Sequence, residues 1–278
     1  MLAGIAALIV VLVLAPLLFT AIACRSLIYH PTQLSPKDVD ALAAHAGWEK
    51  VRVEVGRGVR VVGLVRAPEK AGPWLLFFGG NAADLEGNQS ALELIRGPDP
   101  LPGLAVFAYR GYDGSEGRPT ERALEDDAEQ LAKWLEKTHG VAPSRLIVMG
   151  QSLGTGIATS LAARLSTASV PPLGLVLISP YTSMAKLFEE HAHLPIGSAV
   201  RDPFRTDRII QGVRTRILMI HGEEDTLIPP EHAKALAAIA NPNARVVIVP
   251  KRGHNDMWSD AATNAEIKAF VLSSSVAR

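Results

Sequence analysis

Six short apolar runs, at residues 74–78, 104–108, 146–149, 174–178, 217–220 and 245–249, punctuate the chain and leave room for helices between them. Runs of this length suit strands and are too short for helices. Their lack of polar alternation marks strands buried on both faces of a parallel sheet. Upstream, residues 50–55 and 59–65 flank Gly56-Arg57-Gly58, the pattern of an antiparallel hairpin. Among the intervening segments, Thr120 reads as an N-cap, Leu124, Ala128, Leu131 and Leu135 share one face, and Gly140 closes the helix. Ser35-Pro36 opens another helix, ended by Gly47, and residues 231–240 and 261–272 are further candidates. The expected fold is α/β: a doubly wound, mostly parallel sheet covered by helices and preceded by an antiparallel hairpin. Ligands in such sheets bind beyond the carboxyl ends of the strands.

At that position in the third run stands Gly150-Gln151-Ser152-Leu153-Gly154, followed from Thr155 by an alanine-rich helical stretch. A Gly-x-Ser-x-Gly pattern arises by chance in about one such chain in ten, so the strand before it and the helix after it carry the signal. A strand-to-helix reversal this tight needs small residues around the serine. It lifts the Ser152 hydroxyl above the sheet edge and aims backbone N–H groups at whatever binds there.

A serine hydroxyl is a poor nucleophile without a base, a carboxylate to orient that base, and donors for the oxyanion. After the run 217–220 comes His221-Gly222-Glu223-Glu224-Asp225, and after 245–249 comes Pro250-Lys251-Arg252-Gly253-His254. The order Ser152, Asp225, His254, each in a loop after a strand, differs from those of the two best-known serine protease folds. In that order Ser152 attacks, His254 moves the proton and Asp225 fixes the imidazole tautomer. Glu223 and Glu224 are rivals for the acid, and Asp225 is preferred because it leads into the turn before Pro229. His221 and His232 read as structural or surface residues, whereas His191 and His193 fall in the segment expected to cover the site. The oxyanion donors are expected to be the N–H groups of Leu153 and of Asn81, in the loop Gly79-Gly80-Asn81-Ala82.

Residues 2–23 carry no charge, and 22 residues in a helix are long enough to span a bilayer core. No Lys or Arg precedes Arg25, as a cleaved signal peptide would require. A lipobox-like Ala21-Ile22-Ala23-Cys24 offers lipidation as an alternative, but the over-long apolar stretch favours an uncleaved single-pass anchor. Arg25 and Lys37 lean toward a cytoplasmic catalytic domain without deciding the side. The expected division is an anchor over 1–25, a connecting segment with a short helix over 26–49, and a catalytic domain over 50–278. With 28 basic and 28 acidic residues, no net charge argues for nucleic acid as a partner. The single Cys24 excludes an internal disulfide, and no Cys/His cluster has metal-ligand spacing.

Several segments in one order resemble the α/β-hydrolase superfamily over roughly residues 50–272. They are Phe77-Phe78-Gly79-Gly80-Asn81-Ala82, Tyr109-Arg110-Gly111-Tyr112-Asp113-Gly114-Ser115-Glu116-Gly117 and the serine pentapeptide. Ser179-Pro180-Tyr181-Thr182-Ser183, His221-Gly222-Glu223-Glu224-Asp225 and Gly253-His254-Asn255-Asp256 complete the series. They are most similar to the single-anchor "α/β-hydrolase domain-containing" branch of depalmitoylases and related acyl hydrolases. Two departures are Gly79 where the branch often has His, and Thr155 where it often has a second Gly.

The resemblance implies a cofactor-free serine hydrolase that cleaves acyl ester or thioester substrates, lipid-like ones included, through an acyl-enzyme. The Tyr109–Gly117 segment, read from its own residues as a Gly-rich loop with Arg110 and Tyr112, is expected only to brace the nucleophile turn and is assigned no catalysis. The insert at 180–215 leaves room only for a short lid, whose Phe188, Leu194 and Ile196 are expected to line a shallow, fairly open acyl site. The alternatives are a serine peptidase of the prolyl oligopeptidase kind and a non-catalytic scaffold. The first usually adds a propeller or cap domain absent here, and the second typically loses the Ser or His retained here.

Overall fold

The computed structural model describes residues 25–276 except 46, 69–71, 96–101 and 169, with 274–276 described by backbone alone. Eight strands form one sheet: β1 (Glu49–Glu54), β2 (Arg60–Arg66), β3 (Trp74–Phe78), β4 (Gly103–Phe107), β5 (Leu146–Gln151), β6 (Gly174–Ile178), β7 (Ile217–Gly222) and β8 (Ala244–Val249). Their order is β1-β2-β4-β3-β5-β6-β7-β8. The β1–β2 hairpin is antiparallel and β2 meets β4 antiparallel, whereas every pairing from β4 to β8 is parallel. The mostly parallel sheet and its opening hairpin thus follow the apolar runs.

Strands β3, β4, β6 and β7 are buried along their whole length, and so is β5 up to Gln151. Full burial explains why they read as unbroken apolar runs. The run 245–249 departs from that expectation. It belongs to β8, which ends the sheet and pairs only with β7, and of its residues only Val249 is buried.

Helix α1 (Pro36–Ala43) precedes β1, and helices α2 (Leu85–Ile95), α3 (Glu121–His139) and α4 (Leu153–Thr167) follow β3, β4 and β5. Helices α5 (Met184–Ala192) with α6 (Thr206–Ile209), α7 (Glu231–Ile239) and α8 (Ala261–Val276) follow β6, β7 and β8. Helix α3 is capped by the Thr120 side chain and ends on Gly140 in the left-handed region, φ 64°. Its buried face holds Leu124, Ala128, Leu131 and Leu135, because these positions recur with the helical period. Helix α1 closes at Ala43, short of Gly47. Residues 153–162 of α4 are buried on all sides, since the helix packs on α3 as well as on β5.

The order β4-β3-β5 places consecutive chain crossings on opposite sides of β3, and the loops after β3 and β5 flank that switch point. Such a crevice is where open α/β sheets take ligands. The expected anchor over residues 2–23, and Cys24, lie outside the described residues. Among the described residues no helix is long and apolar enough to cross a membrane.

Candidate active site

Ser152 stands between β5 and α4 with φ 49° and ψ −119°. A non-glycine residue held at positive φ costs about 1–3 kcal/mol, and surrounding contacts must impose it. They do so here. The Ser152 N–H donates to the Ile178 carbonyl at 2.9 Å, while the Ser152 carbonyl accepts from the Thr155 N–H and hydroxyl at 2.9 and 2.6 Å. The flanking glycines are steric requirements. A Cβ on Gly154 would lie 2.1 Å from the Phe78 carbonyl oxygen, and one on Gly150 would lie 2.3 Å from the Gly154 oxygen. Neither obstacle is a flexible side chain. Gly154→Ala is therefore expected to cost about 3 kcal/mol or more by overpacking, which lowers Tm by about 6 °C or more. An unchanged thermal unfolding curve would contradict this packing.

The chain brings His254 to the serine from 102 residues away. The imidazole Nδ1–H donates to Asp225 Oδ2 at 2.8 Å, which leaves Nε2 to accept from Ser152 Oγ at 3.1 Å. Asp225 Oδ1 accepts the N–H groups of Leu227 and Ile228 at 3.0 and 2.8 Å. Burial alone would raise the Asp225 pKa. Hydrogen bonds from His221, His254 and the Ile228 N–H outweigh it and hold the carboxyl well below the usual range. Of the rival acids, Glu223 and Glu224 are exposed, and Glu223 Oε2 instead accepts the Lys251 N–H at 3.3 Å. The loops that carry Asp225 and His254 are tied together, because Glu224 N–H donates to the Arg252 carbonyl at 2.8 Å.

Both histidines set aside in the sequence as structural or surface residues are buried. His221 is the penultimate residue of β7, and its Nε2–H donates to the Ile228 carbonyl at 2.6 Å and faces Asp225 Oδ2 at 3.3 Å. A carbonyl only accepts, so the proton lies on Nε2. His221 thus supports the Asp225 loop, and its place at the strand end four residues before Asp225 was the signal for it. His232 accepts the Thr182 N–H on Nδ1 at 3.1 Å and bonds Glu190 through Nε2 at 2.9 Å. Burial pushes its pKa down, in keeping with a neutral ring that pins α5 to α7.

Asn81, in the loop after β3, and Leu153, next to the serine at the start of α4, border the same cavity as Ser152. Among the described residues no protein acceptor takes the N–H of either one. The Asn81 side chain is fixed instead: Oδ1 accepts from the His30 N–H at 2.9 Å and from the Tyr112 hydroxyl at 3.3 Å. The Tyr109 hydroxyl donates to the Gly79 carbonyl at 2.7 Å. Burial pushes both phenols up, so they keep the protons they donate. The Tyr109–Gly117 segment therefore braces the loop after β3, whereas the sequence suggested the serine turn. Arg110 fastens this segment to α3 through a bidentate pair with Asp127, at 2.6 and 2.5 Å.

The cavity, about 280 Å³ in volume, is largely apolar. Met184, Leu187, Phe188 and His191 of α5 form one wall, and Leu227 and Ile228 of the Asp225 loop another. His191 Nε2–H donates to the Leu227 carbonyl at 2.8 Å and joins the two walls. Of the three lid residues expected to line the site, Phe188 does so, but Leu194 and Ile196 stand outside it in the turn after α5. Among the described residues no group of three or more His, Cys, Asp or Glu side chains is placed to hold a metal ion.

A family model described as the alpha/beta hydrolase fold matches residues 119–255. Alpha/beta hydrolase domain-containing protein 17B of Homo sapiens is 31% identical over 241 residues, which are 86% of this chain and 78% of that protein. The lysophosphatidylserine lipase ABHD12 of Danio rerio is 32% identical over 183 residues, 60% of this chain and 47% of its own length. Among solved structures, the esterase Pf2001 of Pyrococcus furiosus shares the fold with a TM-score of 0.67 at 17% identity, over 88% of this chain and 97% of that one. Such identity to the human protein over most of both chains agrees with the sheet and serine turn described above, and the chain belongs to the α/β-hydrolase family.

Proposed function

We propose that the chain is a membrane-anchored serine hydrolase that cleaves carboxylic ester or thioester bonds through an acyl-enzyme. One observation carries this reading: the continuous hydrogen-bonded series Ser152–His254–Asp225 opens onto an apolar cavity. Ser152 Oγ attacks the acyl carbonyl as His254 Nε2 takes its proton, and Asp225 stabilises the imidazolium that forms. The Leu153 and Asn81 N–H groups receive the oxyanion, with the N-terminus of α4 adding its positive end. His254 returns the proton to the leaving alcohol or thiol. A water, deprotonated by the same imidazole, then attacks the acyl-serine, and collapse of the second tetrahedral intermediate frees the acid and restores the serine.

The lining by Leu187, Phe188 and Ile228 suits an acyl chain. The lipase and esterase among the relatives agree with ester substrates. Residues 2–23 support anchoring through their length and lack of charge. The experiment is fluorophosphonate labelling of the full chain in detergent, with p-nitrophenyl esters, acyl thioesters and peptide amides as substrates. Labelling at Ser152 with ester and thioester turnover is expected. Equal labelling of Ser152→Ala, or amide cleavage exceeding ester cleavage, would overturn the proposal.

A further inference from the structure

Residues 25–34, which follow the apolar N-terminal stretch, form a strap that borders the cavity and is tied down at both ends. Arg25 pairs with the buried Asp202 carboxylate, Nε to Oδ2 at 2.9 Å and a second guanidinium N–H to Oδ1 at 3.3 Å. One helical turn later the Tyr29 N–H donates to the Arg25 carbonyl at 2.9 Å, and Ile28 and Tyr29 are buried in the core. The far end is held as firmly. The Asp113 N–H donates to the Thr32 carbonyl at 3.0 Å, the Leu34 N–H to Asp113 Oδ1 at 3.0 Å, and Gln33 Nε2–H to the Gly111 carbonyl at 3.0 Å.

Between these attachments the strap meets two parts of the site. Leu27 and Ile28 border the cavity that Ser152 opens onto. Ile28 is buried, while Leu27 is 57% exposed and stands with Leu227, 48% exposed, as uncovered apolar surface bordering that cavity. His30 grips Asn81 twice: its N–H donates to Oδ1 at 2.9 Å, and its Nδ1 accepts from Nδ2–H at 3.3 Å. The Asn81 side chain also accepts its own neighbour's N–H, from Ala82, at 3.0 Å. Through Asn81, then, His30 helps set the backbone whose N–H receives the oxyanion.

We propose that residues 25–34 complete the active site, with Leu27 and Ile28 as specificity-determining residues for the acyl chain and His30 as a positioning residue for Asn81. This inference rests on the acyl-transfer reading of Ser152. An acyl chain lying along Leu27 and Ile28 gains about fourfold in binding for each methylene it buries there, so the strap favours long chains over acetyl. The strap follows the apolar stretch in the chain, with Leu27 four residues beyond its end at residue 23.

The test measures kcat/KM of the full chain in detergent on p-nitrophenyl acetate, octanoate and palmitate, with fluorophosphonate labelling of Ser152 as the check on the folded site. Leu27→Asp is expected to lower the octanoate-to-acetate and palmitate-to-acetate ratios about tenfold, and Ile28→Phe to lower the palmitate ratio by filling the wall. Leu94→Asp, exposed on α2 and outside the cavity, is expected to leave the ratios alone. His30→Ala is expected to lower kcat about tenfold on all three esters with little change in KM. His30→Asn, whose amide oxygen can accept from Asn81, should restore most of that loss. Chain-length ratios unchanged in both Leu27→Asp and Ile28→Phe, or an unchanged kcat in His30→Ala, would overturn the proposal while Ser152 still labels. A wild-type chain that neither labels nor cleaves any ester would instead overturn the acyl-transfer reading itself.

Discussion

Replacing Ser152 with alanine is expected to lower kcat by about 10⁴–10⁶-fold, because the serine, the base and the acid act as a unit and lose nearly all of their effect together. The fold should survive the change. The strained turn is held by backbone contacts and by the Thr155 hydroxyl, none of which uses Ser152 Oγ. Removing the side chain breaks only the 3.1 Å contact to His254 Nε2. Steady-state ester hydrolysis and a thermal unfolding curve, measured on one preparation, check both halves. A loss below a hundredfold with an unchanged Tm would assign the chemistry to another residue.

The second large effect is expected from Asp225→Asn, at about 10⁴-fold in kcat. The carboxylate accepts the His254 Nδ1–H, which keeps Nε2 free to take the serine proton. An amide can present N–H to Nδ1 instead, and that forces the imidazole proton onto Nε2, where it faces Ser152 Oγ and blocks proton abstraction. The change also alters stability with a definite pH sign. The Asp225 pKa is lower in the folded state than in the unfolded chain, so its ionised form stabilises the fold above the ordinary carboxylate value of about 3.9. That contribution is lost as pH falls below this value toward the depressed folded pKa. Thermal unfolding of wild type and Asp225→Asn should show the wild-type advantage at pH 7 and its decline below about pH 4. A Tm difference independent of pH from 7 to 3 would contradict the hydrogen-bonding account of Asp225.

The elements that read correctly from the chain are those whose cause is local. The apolar stripe of α3, its Thr120 cap and its Gly140 end all lie within one stretch and need no partner to be recognised. The serine turn is of the same kind. Helix α2 is different: its buried face includes Asn88 and Gln89, and Gly87 lies in its first turn, so the apolar period between Leu85 and Leu92 is interrupted by polar residues. Gln89 is satisfied by the Leu42 carbonyl at 3.0 Å, a partner 47 residues away. The polar residue is tolerated only because the tertiary fold supplies that acceptor. Helix α5 carries a short apolar face that closes on the cavity instead of the sheet, so its partner is set by the tertiary fold.

By itself the sequence determined the parallel α/β sheet, the strand–Ser152–helix turn and the loop positions of Asp225 and His254, since strand burial and tight-turn sterics act over a few residues. The tertiary structure decided what depends on distance through space. It brought Asp225, and neither Glu223 nor Glu224, within hydrogen-bond distance of His254, turned His221 toward Asp225, kept Phe188 in the cavity wall while leaving Leu194 and Ile196 outside, joined His30 to Asn81, and set Leu27 and Ile28 on the border of the cavity that Ser152 shares. Apart from the His221–Asp225 contact, which spans only four residues, these contacts join segments that only the register of the sheet and the burial of the strap bring together, and no local pattern encodes a partner that far along the chain.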